Sequence, residues 1–554
     1  MVKCQNRILL EEKFCILSKP TIIKNFLQIV TIQGAIHGRC AAGMSAIGVS
    51  LAFRDKERMI SMFRHFLDAS PLERTQGLWR FARRRGYRAV SRMAEVTESF
   101  WLSGGYFPTL LGVLILALAT DRQVAGAAVL IGTATWFLAA CPDFLAAVCP
   151  FTLAILLVGP EYEDMTVFLP CVPLLCAFIA ALILHFSIWP VRFWLGTSWR
   201  GLALVSIATI MSGCDVLSLS SRTTPLTVYY TLGLGLGMLV LYALFRSQMF
   251  EEKKYHVQTR FAQIWLAVGL GMAAVVADLC IRHWDEFEAL GGAVPEFKCR
   301  NFCATILVTT LPAAFYLSRR SRWYAVPGVL IAAAMLFTGS RSALLFGTAL
   351  LVLGCVYMVR FRVVSRSTMT VLLMMAGAFL LCFGLENITA LYQSRLIEGH
   401  LISGSEERWA LLAQSVVDFL DHPAFGVGLG NTTNFYLGTG VPGSMFFYHN
   451  MPAQIAGSMG VLGVAAYGRL ISDRVALLWR GRKDPFVAML AMSYLGMLMV
   501  SMTNPGEFCP FPNAAMMVML FAMTEDAVGD VAVPLEQMIP GKNVRYPVRT
   551  VASK

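Results

Sequence analysis

An all-α protein that crosses a membrane many times is the fold class that this sequence predicts, on three observations. Only 14% of its 554 residues are charged, against roughly 25% in ordinary soluble domains. The mean hydropathy is +0.61, and apolar runs of spanning length follow one another from residue 105. These runs lack the alternation of apolar and polar residues that a transmembrane barrel strand shows. We therefore expect a bundle of membrane-spanning helices and exclude both a soluble domain and an outer-membrane barrel.

Residues 1–100 differ in composition from the rest of the chain. An apolar stretch at 27–53 is interrupted by polar residues near position 38 and does not predict a span. After it, arginines such as Arg64 and Arg83 alternate with Phe66, Trp79 and other apolar side chains. This pattern is typical of an amphipathic segment on the anionic face of a membrane, and a solvated basic leader is the alternative. Either interpretation makes 1–100 a basic cytoplasmic leader.

Residues 101–525 form the predicted transmembrane domain, with about fourteen spans. Twelve or thirteen remain open, because Pro142 either ends a helix or kinks one. The predicted spans are 105–120, 123–140, 144–159, 165–186, 201–213, 226–245, 261–281, 302–318, 323–338, 342–359, 368–385, 449–468, 485–502 and 510–524.

The charges of the connecting loops alternate and predict the orientation. Basic residues collect in every second loop, which the positive-inside rule assigns to the cytoplasm. The acidic loops and the long segment 386–448 fall on the external side, so both termini, including the tail 526–554, are expected in the cytoplasm. The net charge of +12 is thus an orientation signal, and no nucleic-acid-binding module accompanies it. The basic residues assigned to cytoplasmic loops are Arg192, Arg200, Arg246, Lys253, Lys254, Arg260, Arg319, Arg320, Arg322, Arg360, Arg362, Arg366, Arg469, Arg474, Arg480, Arg482 and Lys483.

One candidate functional residue is an arginine on the external side. The sequence Ser340-Arg341 places it between two predicted spans, where the positive-inside rule disfavours a basic residue. A functional role explains this position. An arginine that only reaches the membrane interface from a helix start is the alternative.

The segment 386–448 is too long for a simple connector. Within it, residues 406–420 repeat apolar side chains at helical spacing and predict an amphipathic helix on the outer membrane face, ended by His422-Pro423. Arg408 belongs to this helix, and an ion pair with a nearby acid such as Glu407 or Asp418 is its alternative role.

A glycine-rich stretch follows that helix. Gly426, Gly428 and Gly430 occupy alternate positions before Asn431, which predicts a backbone packed closely against another group. No strand–helix context supports a dinucleotide-binding fingerprint.

His449 and Asn450 open the next span and place an imidazole at the external interface. Two guanidiniums and one imidazole at one membrane face suit a diphosphate carried on a lipid, because forked donors bind phosphate oxygens bidentately. The imidazole can orient or deprotonate an acceptor hydroxyl, although a helix cap is the alternative role of His449. Arginines that neutralise the leaving diphosphate make a metal unnecessary, and we expect neither a metal nor another cofactor.

Over roughly 325–470 the order of these motifs resembles the bacterial O-antigen ligase and polymerase superfamily. The resemblance is carried by Ser340-Arg341, Arg408-Trp409, the glycine-rich stretch, His449-Asn450 and the Gly-Ser-Met-Gly sequence at 457–460. It implies a membrane glycosyltransferase of cell-surface polysaccharide (lipopolysaccharide) biosynthesis, located in the cytoplasmic membrane, with an undecaprenyl diphosphate-linked oligosaccharide as donor. Arg341 and Arg408 would bind the diphosphate, and His449 would act on the acceptor hydroxyl. The supporting residues would be Ser340, Asn450, Gly428, Gly430 and Asn431.

The acceptor stays open among a glycan, a lipid and a protein. A multi-span transporter is the alternative function. The sequence offers no inverted repeat, no paired broken helices and almost no carboxylate in mid-membrane to support it.

Overall fold

Helices dominate the structure, as the composition predicted. The computed structural model describes residues 94–158, 169–189, 193–214, 228, 230–251, 257–285, 300–338, 340–365, 369, 400–429, 448–503, 506–507, 511–530 and 533–534. The helices are α1 (Ala94–Leu102), α2 (Tyr106–Ala119), α3 (Gln123–Ala140), α4 (Leu145–Val158), α5 (Val172–Ile188), α6 (Ser198–Met211), α7 (Met238–Glu251), α8 (Val257–Arg282), α9 (Arg300–Thr310), α10 (Pro312–Ser318), α11 (Ala325–Phe337), α12 (Arg341–Arg360), α13 (His400–Asp421), α14 (Met451–Arg480), α15 (Pro485–Ser501) and α16 (Phe511–Ala527). A π-helical stretch, Thr231–Gly237, precedes α7, and a 3-10 turn, Arg322–Tyr324, precedes α11.

Within these described ranges, seven helical segments are long and apolar enough to cross a bilayer. An eighth results if α1 and α2, which meet at 82°, form one broken span, and four shorter apolar helices accompany them. The predicted all-α, multi-span class is thereby confirmed, whereas the total of fourteen stays a prediction. Every predicted span except 368–385 overlaps a helix. That span, the leader up to residue 93 and the tail beyond 534 lie outside the described residues.

Helix α14 departs most from its prediction. It continues to Arg480, whereas the sequence predicted a span ending at 468. Arg469 and Arg474 are therefore helical, and their assignment to a loop was wrong. The hydropathy of the span falls at these charges, but the helix continues past them, and Arg469 pairs with Asp473 one turn later, at 3.0 Å. The other basic residues that lie in helices rather than in loops are Arg200, Arg246, Arg260, Arg360 and Arg480.

Two contacts fix the direction of α15 relative to α12. Leu350 packs against Gly496, and the Tyr357 hydroxyl donates to the Pro485 carbonyl at 2.9 Å, so the two helices are antiparallel. The start of α12 and the end of α15 consequently lie together. Because Asn450 bonds to the carbonyl of Met502, α14 begins there too. We call this end of the helices the His449 end and the opposite end the Arg480 end.

At the Arg480 end, a buried ion pair joins α7 to α16. Arg246 Nε lies 3.0 Å from Glu525 Oε2, and both side chains are almost fully buried. Tyr242 donates to the same carboxylate oxygen at 2.7 Å. Asp530 accepts hydrogen bonds from both Arg246 and Arg480. Two arginines that the sequence assigned to one side therefore share one end of the bundle, although Arg246 belongs to a helix and not to a loop.

A short antiparallel sheet also lies at the Arg480 end. It pairs β1 (Trp194–Leu195) with β2 (Val533–Pro534), with Trp194 opposite Pro534. Val533 and Pro534 of the predicted cytoplasmic tail are thus held against the connection that precedes α6. The sequence did not predict this pairing.

Among the buried acidic side chains of the described residues, Glu507 and Glu525 each lie beside a buried arginine. Burial of these carboxylates was not predicted, and the expectation that almost no carboxylate lies in mid-membrane stays a prediction. A buried charge is tolerable when a partner of opposite sign neutralises it, and each of these pairs is neutral as a unit. We interpret both pairs as ties between helices.

Candidate functional site

Helix α13, within the long segment that the sequence assigns to the external side, docks against the residue that precedes His449. Asp418 of α13 accepts hydrogen bonds from Gln414 Nε2 at 2.8 Å and from the Tyr448 hydroxyl. Tyr448 is buried, and this burial, with the nearby Asp418 carboxylate, raises the pKa of the phenol well above its usual range. The phenol is therefore a stable hydrogen-bond donor at neutral pH. Asp418, considered from the sequence as a partner for Arg408, makes both of these bonds.

Helix α13 is longer than predicted but ends where expected. It begins at His400, six residues before the predicted start, so Glu406 and Glu407 are not in its first turn. It ends at Asp421, directly before the predicted stop at His422. Trp409, Val416 and Leu420 are exposed along one stripe, in keeping with an amphipathic helix.

Asn450 has two structural contacts at the start of α14. Its Oδ1 accepts the backbone N–H of Ala453 at 3.0 Å, the N-cap bond of the helix. Its Nδ2 donates to the carbonyl of Met502, also at 3.0 Å, which links α14 to the end of α15. The N-cap is thus Asn450 and not His449, so the alternative role of His449 as the cap is not what the geometry shows.

His449 lies between these two anchored neighbours. It is half-buried and has a left-handed backbone with a φ of 52°. Non-glycine residues rarely adopt this conformation, and asparagine tolerates it better than most. The Tyr448 backbone N–H is itself held by the Gln454 Oε1 atom at 3.1 Å. Bonds on both sides of His449 therefore determine where its imidazole is presented.

The glycine-rich stretch fills a break in α14. Gly460 has φ 61° and ψ −157°, values outside the helical region, and it divides α14 into an outer piece, 451–459, and an inner piece, 461–480. The stretch 423–428 satisfies the backbone groups that the break frees, which is essential for a broken helix at membrane depth. Its bonds to the helix are Val427 N–H to Gly457 O at 3.0 Å, Gly428 N–H to Ser458 O at 2.9 Å, Val461 N–H to Pro423 O at 2.8 Å and Leu462 N–H to Ala424 O at 3.2 Å.

The predicted close approach of this stretch is therefore present, and its partner is the backbone of α14. Gly428 has a φ of 96° and contributes its N–H to that interface. The end of α6 joins it, because the Gly213 N–H donates to the Phe425 carbonyl at 3.2 Å. Gly430 and Asn431, the other two supporting residues, lie outside the described residues.

Arg341 is the first residue of α12, at the His449 end. The turn before it is fixed by Ser340, which is the N-cap position and is buried. The Ser340 hydroxyl donates to Asn301 Oδ1 at 3.0 Å and lies 2.8 Å from the Ser342 hydroxyl. Ser340 therefore supports the turn that presents Arg341.

Arg408 is an exposed residue of α13, one turn before the buried Leu411 and two turns before the buried Ser415. Since residues three and seven positions apart share a helix face, Arg408 lies on the stripe of α13 that faces the protein. The fold thus brings the start of α12, the start of α14 and helix α13 to the same end of the molecule.

Arg282, the last residue of α8, pairs with two acidic side chains. Its Nη1 lies 2.7 Å from Asp121 and its Nε 2.8 Å from Asp278. The hydrogen bond from Arg282 lowers the pKa of the exposed Asp121 carboxyl. Arg282 thereby ties the end of α8 to the turn between α2 and α3.

The residues that sequence reasoning missed are the polar partners Gln414, Tyr448 and Gln454, and Gly213, which follows α6. Single polar residues beside apolar runs carry no spacing signal, so only the folded chain identifies them. Among the described residues, no group of three or more histidine, cysteine or acidic side chains could hold a metal ion. Independence from metal remains a prediction.

Comparison with known proteins adds one match. The family model described as O-antigen ligase matches residues 326–468, a range that contains Arg341, Arg408 and His449. The resemblance to the O-antigen ligase and polymerase superfamily, predicted from the motif order, is confirmed over this segment. No curated protein matches the chain.

Proposed function

We propose, from the O-antigen ligase domain at 326–468, that the protein transfers an undecaprenyl diphosphate-linked oligosaccharide to an acceptor hydroxyl at the external face of the cytoplasmic membrane. The observation that carries the proposal is the meeting of His449, the start of α12 and helix α13 at one end of the helices. A lipid-linked donor has its diphosphate at the membrane boundary, and the His449 end of membrane-spanning helices would lie at that boundary.

Arg341 and Arg408 are the proposed ligands of the donor diphosphate. A guanidinium presents parallel N–H donors that match phosphate oxygens, and it keeps its charge at any physiological pH. The diphosphate is also the leaving group, so positive charge beside it stabilises the transition state. The hydrogen-bonded turn at Ser340 supports this role. An arginine that stabilises the transition state must be positioned before negative charge develops on the leaving diphosphate.

His449 is the proposed general base. The acceptor oxygen attacks the anomeric carbon of the donor sugar, the bond from that carbon to the diphosphate oxygen breaks, and the acceptor proton passes to the imidazole. The products are the new glycoside and undecaprenyl diphosphate. The anchored neighbours Tyr448 and Asn450 support this assignment, since a catalytic base must be held in place.

The proposal assigns the His449 end to the external side and the Arg480 end to the cytoplasm. The basic residues near the Arg480 end support this orientation through the positive-inside rule. The acceptor is a second glycan, a lipid or a protein, corresponding to polymerase, ligase and protein glycosylation activities.

The test is transfer by purified protein in nanodiscs, with a lipid diphosphate-linked oligosaccharide as donor and candidate acceptors supplied one at a time. His449→Asn is the decisive variant, because asparagine accommodates a positive φ but does not accept a proton at neutral pH. We expect a loss of roughly 10²- to 10⁴-fold in transfer with donor binding retained, and no effect of EDTA on the wild type.

His283→Asn, at a histidine that the proposed mechanism does not use, is the matched control and should transfer normally. Near-normal transfer by His449→Asn would remove the base from the mechanism. Movement of intact donor between leaflets without transfer would instead favour the transporter alternative.

A further inference from the structure

A buried ion pair lies between α14 and the connection from α15 to α16. Arg474 of α14 pairs with Glu507, and both side chains are at most 4% exposed. The Arg474 guanidinium carbon lies 4.6 Å from the ring centroid of Phe521 and 5.4 Å from that of Tyr494. The pair is therefore enclosed by all three helices, away from either end.

The sequence assigned Arg474 to a cytoplasmic loop and Glu507 to an external one, whereas the fold brings the two side chains into contact. Arg474 lies six residues, about 9 Å, before the end of α14 and not in a loop. Glu507 reaches it from a position beside the end of α15. Gly506 packs against Ser501, and its carbonyl accepts a hydrogen bond from Asn513 Nδ2 at 2.7 Å.

The same connection is attached to both pieces of the broken helix. Its first residue, Met502, accepts the hydrogen bond from Asn450 at the start of the outer piece. Glu507 holds Arg474 on the inner piece. Met502 and Glu507 thus contact the two pieces on either side of the break at Gly460, through polar contacts that are independent of the stretch 423–428.

A helix break is a point at which two pieces can change their angle, because the ladder of i to i−4 hydrogen bonds is interrupted. His449 directly precedes the outer piece, so its location follows from that angle. A charge pair in a low-dielectric interior resists separation far more than a surface pair does. The Arg474–Glu507 tie is accordingly suited to fix the angle.

We propose that Arg474 and Glu507 are positioning residues that hold the two pieces of α14 at the angle required for His449 to meet the acceptor. This inference rests on the proposed function for its catalytic consequence. The tie itself concerns only the conformation of α14 and is measurable without a substrate.

The experiment uses Glu507→Gln and the double variant Arg474→Met/Glu507→Gln in the full chain in nanodiscs. Glu507→Gln keeps the shape but leaves the arginine charge buried and unpaired, which lowers stability. The double variant removes both charges, and a methionine packs well against Phe521 and Tyr494, so it should regain stability. The matched control is Asp473→Asn, which removes the neighbouring pair with the half-exposed Arg469.

Three quantities are measured for each variant: the melting temperature, hydrogen–deuterium exchange of residues 448–459, and kcat with the KM of the donor. For the double variant we expect a melting temperature near that of the wild type, yet exchange at 448–459 at least tenfold faster. Its kcat should fall roughly 10- to 100-fold while the donor KM changes less than threefold. Asp473→Asn should match the wild type in all three.

Unchanged exchange at 448–459 in both Glu507→Gln and the double variant would overturn the tie, whether or not transfer is detected. Full kcat in a stable double variant would also overturn it, because the pair would then serve stability alone. If the wild type transfers no glycan, the proposed function fails, while the exchange measurement still decides whether the pair fixes the helix.

Discussion

Gly426 and Gly460 interlock two chain segments through positions that have no room for a Cβ atom. A Cβ on Gly426 would lie 2.2 Å from the carbonyl carbon of Ser458, and one on Gly460 would lie 2.6 Å from that of Ala424. Both glycines have positive φ angles, 65° and 61°. The backbone of the stretch after α13 packs directly on the backbone of α14 at its break. These two segments therefore form one structural unit.

The first prediction concerns this unit. Gly460→Ala should lower the free energy of unfolding by about 2–4 kcal/mol, because it combines a backbone strain with a clash against Ala424. Gly468→Ala, in the same helix with open space around the added methyl group, should instead raise it by about 0.5–1 kcal/mol. Unfolding of both variants in one detergent measures the difference. Equal stability of the two variants would show that the interlock is not rigid.

The second prediction tests the anchoring of the His449 segment. Tyr448→Phe removes one of the two described donors to Asp418 and should cost about 1–3 kcal/mol of stability. It should also reduce transfer, whereas Tyr357→Phe, which loses the bond to Pro485 at a distance from the site, should reduce stability alone. Transfer and unfolding assays on both variants separate the two effects.

The stability lost in Tyr448→Phe should be independent of pH between about 6 and 9. Burial raises the pKa of the phenol above its unfolded value of about 10. A raised pKa gives a contribution that is complete below the unfolded pKa and is lost only as the pH rises through the folded pKa. A difference between wild type and variant that changes near pH 7 would point to another titrating group.

The third prediction concerns the shape of the two proposed diphosphate ligands. Arg341→Lys and Arg408→Lys should each reduce transfer roughly tenfold or more. An ammonium keeps the positive charge but lacks the parallel N–H donors of a guanidinium. Arg122→Lys, an exposed arginine in the turn between α2 and α3, should have no effect. Donor titrations with purified variants measure kcat and KM. Full activity of Arg341→Lys and Arg341→Ala would reduce that residue to an interfacial anchor.

The fourth prediction is the orientation of the chain. A cysteine at Asp421, exposed at the end of α13, should react with an impermeant maleimide added to intact cells, above the labelling of the unmodified protein. A cysteine at Lys483, exposed between α14 and α15, should react only after the membrane is permeabilised. Loops near 255 and 364 are likewise expected inside and the loop near 290 outside. Labelling of position 421 only from the cytoplasmic side would contradict the proposed mechanism.

The sequence by itself determined the class of the fold and the order of the helices. Long apolar runs form helices in a bilayer, because every backbone N–H and C=O must be hydrogen-bonded within its own segment. It also placed Arg341 at a helix start, Arg408 on a long helix of the loop, and His449 before a span, because caps, prolines and hydrophobic periodicity are local signals. The glycine spacing correctly indicated a close backbone approach.

Only the tertiary structure decided what those glycines approach, where α14 breaks, and which charges are buried. The mean hydropathy predicted that this span ends directly before Arg469. An average over a window registers the charge of the arginine but not the partner that neutralises that charge. Arg474 and Glu507, 33 positions apart, and Asp418 and Tyr448, 30 apart, are brought together by the packing of helices. Such pairs produce no periodic pattern in the sequence. Each residue is compatible with its own segment, and its structural role depends on a neighbour that only the folded chain brings into contact.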